Sequence, residues 1–344
     1  MKKSLIALAV LAASGAAMAQ SSVTLFGIVD TGVSYVNRDS ADSSRWGVGT
    51  SGNATSRLGL RGTEDLGGGL KANFWLEGEI FGDNGNASGF NFKRQSTVGL
   101  SGGFGEVRLG RELTPNFRTT LKYDVFGATG IGQFMGYKDW AYNGIADSDA
   151  IRSDNMITYV TPNFSGFSGQ FAYGFDEKKY GNVKTGRYMG GNVAYDNGPI
   201  SVTLAYGQLN SQFAGALAKR KELEIGASYN FGMAKLTGQA QQIKYSPDGM
   251  STQKFNNYMI GVSAPVGGVG EVKAQYAYYD QKAYDAKAHQ LSLGYVHNLS
   301  KRTALYGTVA YLKNKDGSAL GLASKGVYSG TVEAGKAQTG LQVG

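Results

Sequence analysis

Residues 56–79 read SRLGLRGTEDLGGGLKANFWLEGE. On either side of a glycine turn, Leu58, Leu60, Phe74 and Leu76 alternate with Arg57, Arg61, Lys71, Asn73, Glu77 and Glu79. Side chains on a strand point alternately to its two faces, so this spacing predicts paired strands with one apolar and one wet face. What decides the fold is which face looks inward. A soluble sheet hides the apolar face in a core, whereas a membrane barrel turns it to lipid and lines its own lumen with charge.

At the start of the chain, Lys2 and Lys3 precede an apolar run from Leu5 to Ala13 and then Ala17-Met18-Ala19, just before Gln20. These are the three parts of a cleaved secretory signal peptide, which sets residues 1–19 apart and leaves 20–344 as the folded domain. The run is too short for a spanning helix, which takes about 20 apolar residues. No later stretch is long and apolar enough to cross as a helix, so any membrane role must use strands.

The chain has no Cys, which removes disulfides, thiol catalysis and thiolate metal sites together. An export signal without disulfides, combined with 52 Gly, 21 Tyr, 16 Phe and only 5 Pro, suits a bacterial envelope protein built on a large sheet. Removing Lys2 and Lys3 takes the formal charge from +8 to +6, spread without a basic block. The charge therefore belongs to lining and loops, and no nucleic-acid partner is expected.

Chemistry at a reactive site is also absent from the pattern. The two histidines, His289 and His297, sit in or beside one strand, so neither a Ser-His-Asp triad nor a multi-His metal site forms, and neither an enzyme nor a cofactor is expected. GVGTSG (47–52) matches a dinucleotide fingerprint only formally, because such a fingerprint opens a helix within a βαβ unit and the second strand follows here instead. Asp147, Asp149 and Asp154 could hold a divalent cation, but a solvated or Arg-paired loop is the simpler reading. Glu77 and Glu79, two residues apart on a strand, read as lumen lining and not as an acid-base pair.

Seven short turn signals recur, at 66–69, 101–105, 162–166, 196–199, 230–233, 265–270 and 298–302, each between alternating runs. Eight longer polar connections separate them, roughly 37–55, 82–91, 114–152, 176–187, 209–221, 246–256, 280–288 and 313–336. Fifteen connections make sixteen strands. Short turns on one side and long loops on the other predict an all-β protein, a transmembrane sixteen-stranded antiparallel β-barrel with both termini on the periplasmic side. A secreted double sandwich is the alternative, and it would not sort its connections so regularly.

The segments themselves favour the barrel. In ISVTLAYG (200–207), KELEIGASYNFG (221–232), EVKAQYAYYD (271–280) and QLSLGYVHN (290–298), one parity carries Ile, Val, Leu and Tyr and the other Ser, Thr, Gln, Glu, Gly and Lys. Tyr35, Tyr159, Tyr173, Tyr206, Tyr229, Tyr278, Tyr295 and Tyr311 fall mostly toward strand ends, as aromatic girdles at two lipid-water interfaces require. Leu58, Leu60, Phe74 and Leu76 then face lipid or a neighbouring subunit, and Arg57, Arg61, Lys71 and Glu77 point into a water-filled lumen. Closure also removes the exposed edges an open sheet would carry.

One connection is out of scale. Thr114 to Arg152 is more than twice the median of the others, and a loop of that length is usually functional. Its glycines alternate with Phe126, Phe134, Tyr137 and Trp140, which predicts a segment folded into the lumen against the barrel wall, where it narrows the pore.

SSVTLFGIVDTGVSYV (21–36), the opening stretch, FKRQSTVGLSGGFGEVRLGRELTP (92–115) and QTGLQVG (338–344) together resemble the sixteen-stranded trimeric general porins of Gram-negative outer membranes, in particular the beta-proteobacterial branch. The resemblance covers nearly the whole mature chain. It implies an outer-membrane general diffusion channel for passive passage of small hydrophilic solutes and ions, with the third loop as constriction element facing a basic wall. Arg57, Arg61 and Arg108 match lumen-facing positions of that wall, and Arg111 falls on the apolar parity unless the strand twists there. Acidic partners would come from Asp124, Asp139, Asp147 and Asp149. The resemblance further implies a homotrimer in outer-membrane lipid and lipopolysaccharide, inserted by the outer-membrane assembly machinery, with Gly27 and Gly59 allowing close packing of outer faces. The charges then predict weak anion selectivity.

Trp46 and Trp75 carry a second reading, a saccharide-specific channel with an aromatic rail. A third, an adhesin or structural anchor, would need a plugged lumen and elaborate outer loops. The family's last strand ends in an aromatic residue, while this chain stops at Gly344 after about seven strand-like residues, fewer than the roughly 9 to 11 of a spanning strand. The expectation is that a few C-terminal residues are missing.

Overall fold

The computed structural model describes residues 22–37, 44–85, 91–136, 148–176, 178–180, 183–213, 216–282, 285–322, 325 and 332–344. Residues 1–19, expected to be a signal peptide, and Asp139, Asp147, Tyr137 and Trp140 lie outside them. Among the described residues, twenty strand segments follow one another: β1 Ser22–Ile28, β2 Thr31–Val36, β3 Arg45–Thr50, β4 Arg57–Gly67, β5 Leu70–Glu79, β6 Gln95–Gly102, β7 Gly105–Leu113, β8 Arg152–Val160, β9 Phe167–Gly174, β10 Lys178–Tyr180, β11 Val183–Thr185, β12 Tyr188–Asn197, β13 Ile200–Phe213, β14 Ala216–Asn230, β15 Lys235–Pro247, β16 Gln253–Val266, β17 Gly270–Gln281, β18 Ala286–Asn298, β19 Ala304–Lys315 and β20 Ala337–Val343. A helix, α1 (Pro115–Tyr123), opens the longest loop.

Each wall strand pairs antiparallel with its neighbours, and β20 closes the ring by pairing with both β19 and β2. β1 with β2, and β3 with β4, are single strands interrupted in the middle, so the eighteen segments of the main sheet make sixteen wall strands. The remaining two, β10 and β11, form a small hairpin of their own within a long connection. All seven short turns fall where the sequence places them. At the first, Gly67, Gly68 and Gly69 have φ of +84°, +60° and +81°, which side-chain-bearing residues rarely adopt.

Three of the expected loops shrink. Pairing runs up to Phe213↔Ala216, Tyr245↔Gln253 and Gln281↔Ala286, so stretches at 209–221, 246–256 and 280–288 are largely strand. Outward positions along these extensions are mostly polar or charged, among them Lys219, Lys221, Lys244 and Lys254, so the apolar alternation that marks a strand in lipid is missing there.

Burial inverts the soluble pattern. Val98, Leu109, Ile157, Val193, Leu204, Ile225, Ile260, Leu291, Leu293 and Val309 are exposed on the outer wall, while Gln239, Gln241, Gln275, Gln290, Ser292 and Thr308 are buried inside. All eight girdle tyrosines named above share the outward parity: Tyr159, Tyr229 and Tyr295 near the short turns, the others further toward the loops. Gly27 lies on the outer face, but Gly59 does not. It is the register partner of Phe26 and Glu77 and shares the inward parity of Arg57 and Arg61.

The interruption in the second wall strand is structural. Residues 51–56 stand opposite only Val29 and Asp30, an oversized bulge that bends inward. Asp30 Oδ2 accepts the backbone N–H groups of Asn53 and Ala54, both at 2.7 Å, and its Oδ1 accepts the Tyr306 hydroxyl at 2.7 Å. One buried carboxylate thereby satisfies donors that the bulge removes from the ladder.

Candidate functional site: the lumen and its inward loop

The described part of the long loop that follows β7, residues 114–136, runs inside the barrel. Thr114 caps α1, its Oγ accepting the N–H of Phe117 at 3.3 Å, and Pro115 fills the first helical turn, where its missing donor costs nothing. The helix and the chain beyond it lie along the inner faces of the later strands. Thr120 donates its hydroxyl to Glu224 at 3.0 Å, Tyr123 bonds Ser201 and Thr203 at 2.8 Å each, and Asn257 Nδ2 donates to Gly136 O at 2.9 Å. The tip reaches the bulge of the second strand, where Thr129 donates to Ser51 O at 2.5 Å.

Under this loop the inner parity turns apolar. Ile243, Phe255, Tyr279 and Leu312 point inward and are covered by Ile131, Phe134 and Met135 in one buried cluster, with Phe134 stacked on Tyr279 at 5.7 Å between ring centroids. Apolar residues at lumen positions are therefore the docking footprint of the loop, a sequence signal that a uniform polar parity overlooks. Leu320 and Leu322 of the last long connection join the same cluster. That connection also forms a bridge between Thr50 and Lys325, so a second loop folds inward beside the first.

Asp124 is not a pore-facing acid. It is buried, and its carboxylate accepts the backbone N–H groups of Phe126, Ala128 and Phe134 at 3.0, 2.7 and 3.0 Å. Burial pushes its carboxyl up and the three amides pull it back. Its work is to hold the turn of the loop. Of the other acids, Asp149 falls in the short helix Ser148–Ile151, and Asp154 forms an ion pair with Arg111.

The charged residues divide by position. Arg57, Arg61, Lys71, Glu77 and Arg108 take the inward parity. Arg57 and Arg94 both reach Glu77, at 3.7 and 2.6 Å, and Arg152 Nε donates to Arg94 O at 2.9 Å. Lys325 pairs with Glu79, within electrostatic reach of Arg94 and Arg152. Four cations thus gather around two carboxylates. Arg108 lies by Glu112 at 3.0 Å and Glu106 at 3.3 Å, and Arg118 of α1 reaches the same Glu112 at 2.6 Å. Lys71 stands at the short-turn end, opposite Asp65 and Ser101.

Arg111 does not join them by strand twist. It keeps the outward parity of Val107 and Leu109, and its guanidinium donates to the carbonyls of Lys93 at 2.7 Å and Arg152 at 3.2 Å. The register shift between Gly110 and Glu112 places its extra residue on β8, so β7 alternates without a break and buried Glu112 shares the inward parity of Arg108. Arg94, Arg118, Arg152 and Lys325 are the members that strand parity misses, because all four lie outside the alternating runs or at their first residue.

Arg61 has a different setting. Its guanidinium carbon lies 5.2 Å from the ring centroids of both Phe26 and Trp75, which are themselves 4.8 Å apart on the inner face. Trp46 points the other way, paired with Tyr35 on the outer wall at 4.7 Å. The two tryptophans therefore form no common rail for a sugar.

A closed antiparallel barrel with an apolar exterior, a charged lumen and an inward loop defines a transmembrane channel of the porin class. A family model for Gram-negative porins matches residues 5–317, and the chain belongs to that family. It is an outer-membrane channel and not an enzyme. The chain is 67% identical over 346 residues to outer membrane porin protein 32 of Delftia acidovorans, covering 100% of this chain and 99% of that relative. It is 36% identical to an outer membrane porin protein of Bordetella pertussis, covering 91% and 95% of the two chains. Among solved structures it resembles the anion-selective porin from Comamonas acidovorans, with 64% identity, a TM-score of 0.90 and coverage of 94% and 98%.

Proposed function

We propose that the chain forms a general diffusion pore with a modest preference for anions, set where the inward loop leaves only the wall of the first few strands open. The observation that carries this reading is the gathering of Arg57, Arg94, Arg152 and Lys325 around Glu77 and Glu79. Four positive groups against two negative ones leave a positive local field on a wall facing water. Arg61, stacked on Phe26 and Trp75, adds a charge with no carboxylate partner among the described residues. The name of the Comamonas protein, an anion-selective porin, agrees with this sign.

The working unit is a homotrimer. Val23, Leu25 and Val29 are 67%, 67% and 77% exposed on the outer face of the first strand, beside Gly27, a smooth apolar surface suited to another barrel. The long-loop end faces the cell exterior, and both termini face the periplasm. Swelling of liposomes in small neutral solutes tests the pore, and reversal potentials under a KCl gradient test its sign. A pore that saturates with one sugar, or a cation-selective wild type, overturns the respective part.

A further inference from the structure

Arg61 lies in the angle between two aromatic rings on the lumen wall. Its guanidinium carbon is 5.2 Å from the ring centroids of both Phe26 on β1 and Trp75 on β5, and the rings themselves are 4.8 Å apart and tilted by 58°. Both rings are half-buried and Arg61 is exposed. All three share the inward parity, Trp75 as the register partner of Arg61 and Phe26 as that of Gly59.

Two features of the wall hold the rings in place. Gly59 leaves the room that Phe26 fills: a Cβ built there would lie 2.5 Å from Cζ of that ring and 2.6 Å from Leu76 O. Trp75 is fixed by its indole N–H, which donates to Glu77 Oε2 at 3.1 Å. Glu77 is itself gripped by Arg57 and Arg94, so the indole hangs from a carboxylate of the constriction.

The platform lacks an acceptor. Among the described residues no carboxylate, carbonyl or hydroxyl takes an N–H of Arg61, whereas Arg57, Arg94 and Arg108 each meet a glutamate. A guanidinium stacked on aromatic faces keeps its in-plane edge free, and that edge matches a carboxylate through two parallel hydrogen bonds. Toward the short turns the next inward row, Ser22, Thr63 and Asn73, is uncharged, so nothing in that row repels an anion. Arg61 stands four residues beyond Arg57, roughly 13 Å along the strand, on the short-turn side of the constriction.

We propose that Arg61, Phe26 and Trp75 form a subsite for flat aromatic carboxylates of the benzoate type. In such a solute the carboxylate and the ring are coplanar. The carboxylate takes the Arg61 edge while the ring lies against the indole and phenyl at the spacing that aromatic pairs favour, about 4.5–7 Å between centroids. A saturated ring of the same charge and similar size is thicker and has no π face. The inference deepens the anion-pore reading by naming a solute class, and it rests on that reading for an open lumen at this wall.

The test is block of single-channel KCl current in planar bilayers by benzoate, cyclohexanecarboxylate and benzamide. Benzoate should half-block the wild-type pore at a roughly fivefold lower concentration than cyclohexanecarboxylate, and benzamide, which has the ring without the charge, should block less than either. Trp75→Leu and Phe26→Leu should each bring the two carboxylates to within about twofold of one another, whereas Trp46→Leu on the outer wall should discriminate like wild type. Arg61→Gln should weaken block by both carboxylates about threefold. The two carboxylates carry the same charge, so selectivity cancels from their ratio, and reversal potentials in KCl report the anion-pore reading separately. Where Trp75→Leu forms no channels, Phe26→Leu, which leaves the Trp75–Glu77 bond in place, carries the comparison. Equal block of the wild type by benzoate and cyclohexanecarboxylate overturns the site, as does unchanged discrimination in Phe26→Leu. Benzamide blocking as strongly as benzoate overturns the part assigned to Arg61.

Discussion

Gln290 Nε2 on the inner wall of β18 donates to two carbonyls of the inward loop, Ile131 O at 3.2 Å and Gln133 O at 3.1 Å. Its Oε1 accepts the Tyr279 hydroxyl at 2.9 Å, and Tyr279 in turn accepts the N–H of Met135 at 3.0 Å. One buried wall glutamine therefore holds two carbonyls of the loop directly and orients the tyrosine that accepts from a third loop residue. Gln290→Ala should cost about 1–3 kcal/mol of loop docking, because two buried carbonyls lose their donor. Single-channel recordings should show added open-channel noise, and liposomes should admit a larger oligosaccharide than wild type does. An unchanged cutoff together with unchanged noise would show that the apolar cluster holds the loop alone.

Selectivity should move in opposite directions with opposite charges. Arg57→Ala and Arg61→Ala should each lower the anion preference, and Glu77→Gln should raise it. A unit charge about 7 Å from a permeating ion in water contributes roughly 0.6 kcal/mol, so each change is a few-fold at most. The preference should fade toward 1 M salt, where the screening length falls to about 3 Å. Reversal potentials that shift the same way for Arg61→Ala and Glu77→Gln contradict the assignment.

Asp30→Ala should destabilise the barrel by roughly 3 kcal/mol, since two backbone N–H groups and the Tyr306 hydroxyl lose a charged acceptor. The bulge it supports also receives Thr129 at the loop tip, so pore noise should rise along with the lowered unfolding temperature in detergent. A variant that unfolds at the wild-type temperature would show the bulge to be held otherwise.

Gly226 faces the loop helix closely. A Cβ built there would lie 2.1 Å from Cδ2 of buried Tyr123. Gly226→Ala should therefore displace Tyr123 from Ser201 and Thr203 and cost about 1–3 kcal/mol by overpacking. Pairing it with Tyr123→Ala should recover part of the loss, measurable as a non-additive double-mutant cycle in thermal unfolding. Strict additivity would place the strain elsewhere.

Porin trimers should survive mild detergent and separate only on heating. Light scattering that finds one barrel per particle in native preparations refutes the homotrimer. A bulky polar residue in place of Gly27, which lies on the outer face beside Leu58, should lower the dissociation temperature without altering the conductance of each pore.

The sequence by itself determined the architecture. In a barrel every strand repeats the same physical requirement, apolar toward lipid and polar toward water, so sixteen copies of a period-2 pattern and seven short turns, six of them bearing glycine or proline, state the fold redundantly. It also marked the long loop by length and the inward places of Arg57, Arg61 and Arg108 by parity. Only the tertiary structure decided where that loop lies and which charges meet. Asp124 reads as a free acid until three amides of its own turn are seen to converge on it. Arg94, Arg152 and Lys325 come from three segments distant in sequence, and nothing local brings them to Glu77 and Glu79. Trp46 and Trp75 look alike along the chain, yet one faces lipid and the other the lumen, because the bulge at 51–56 and the hairpin turns set their registers separately. Alternation is a local property that a strand imposes on its own residues, whereas the neutralisation of a charge depends on neighbours that only closure of the barrel supplies.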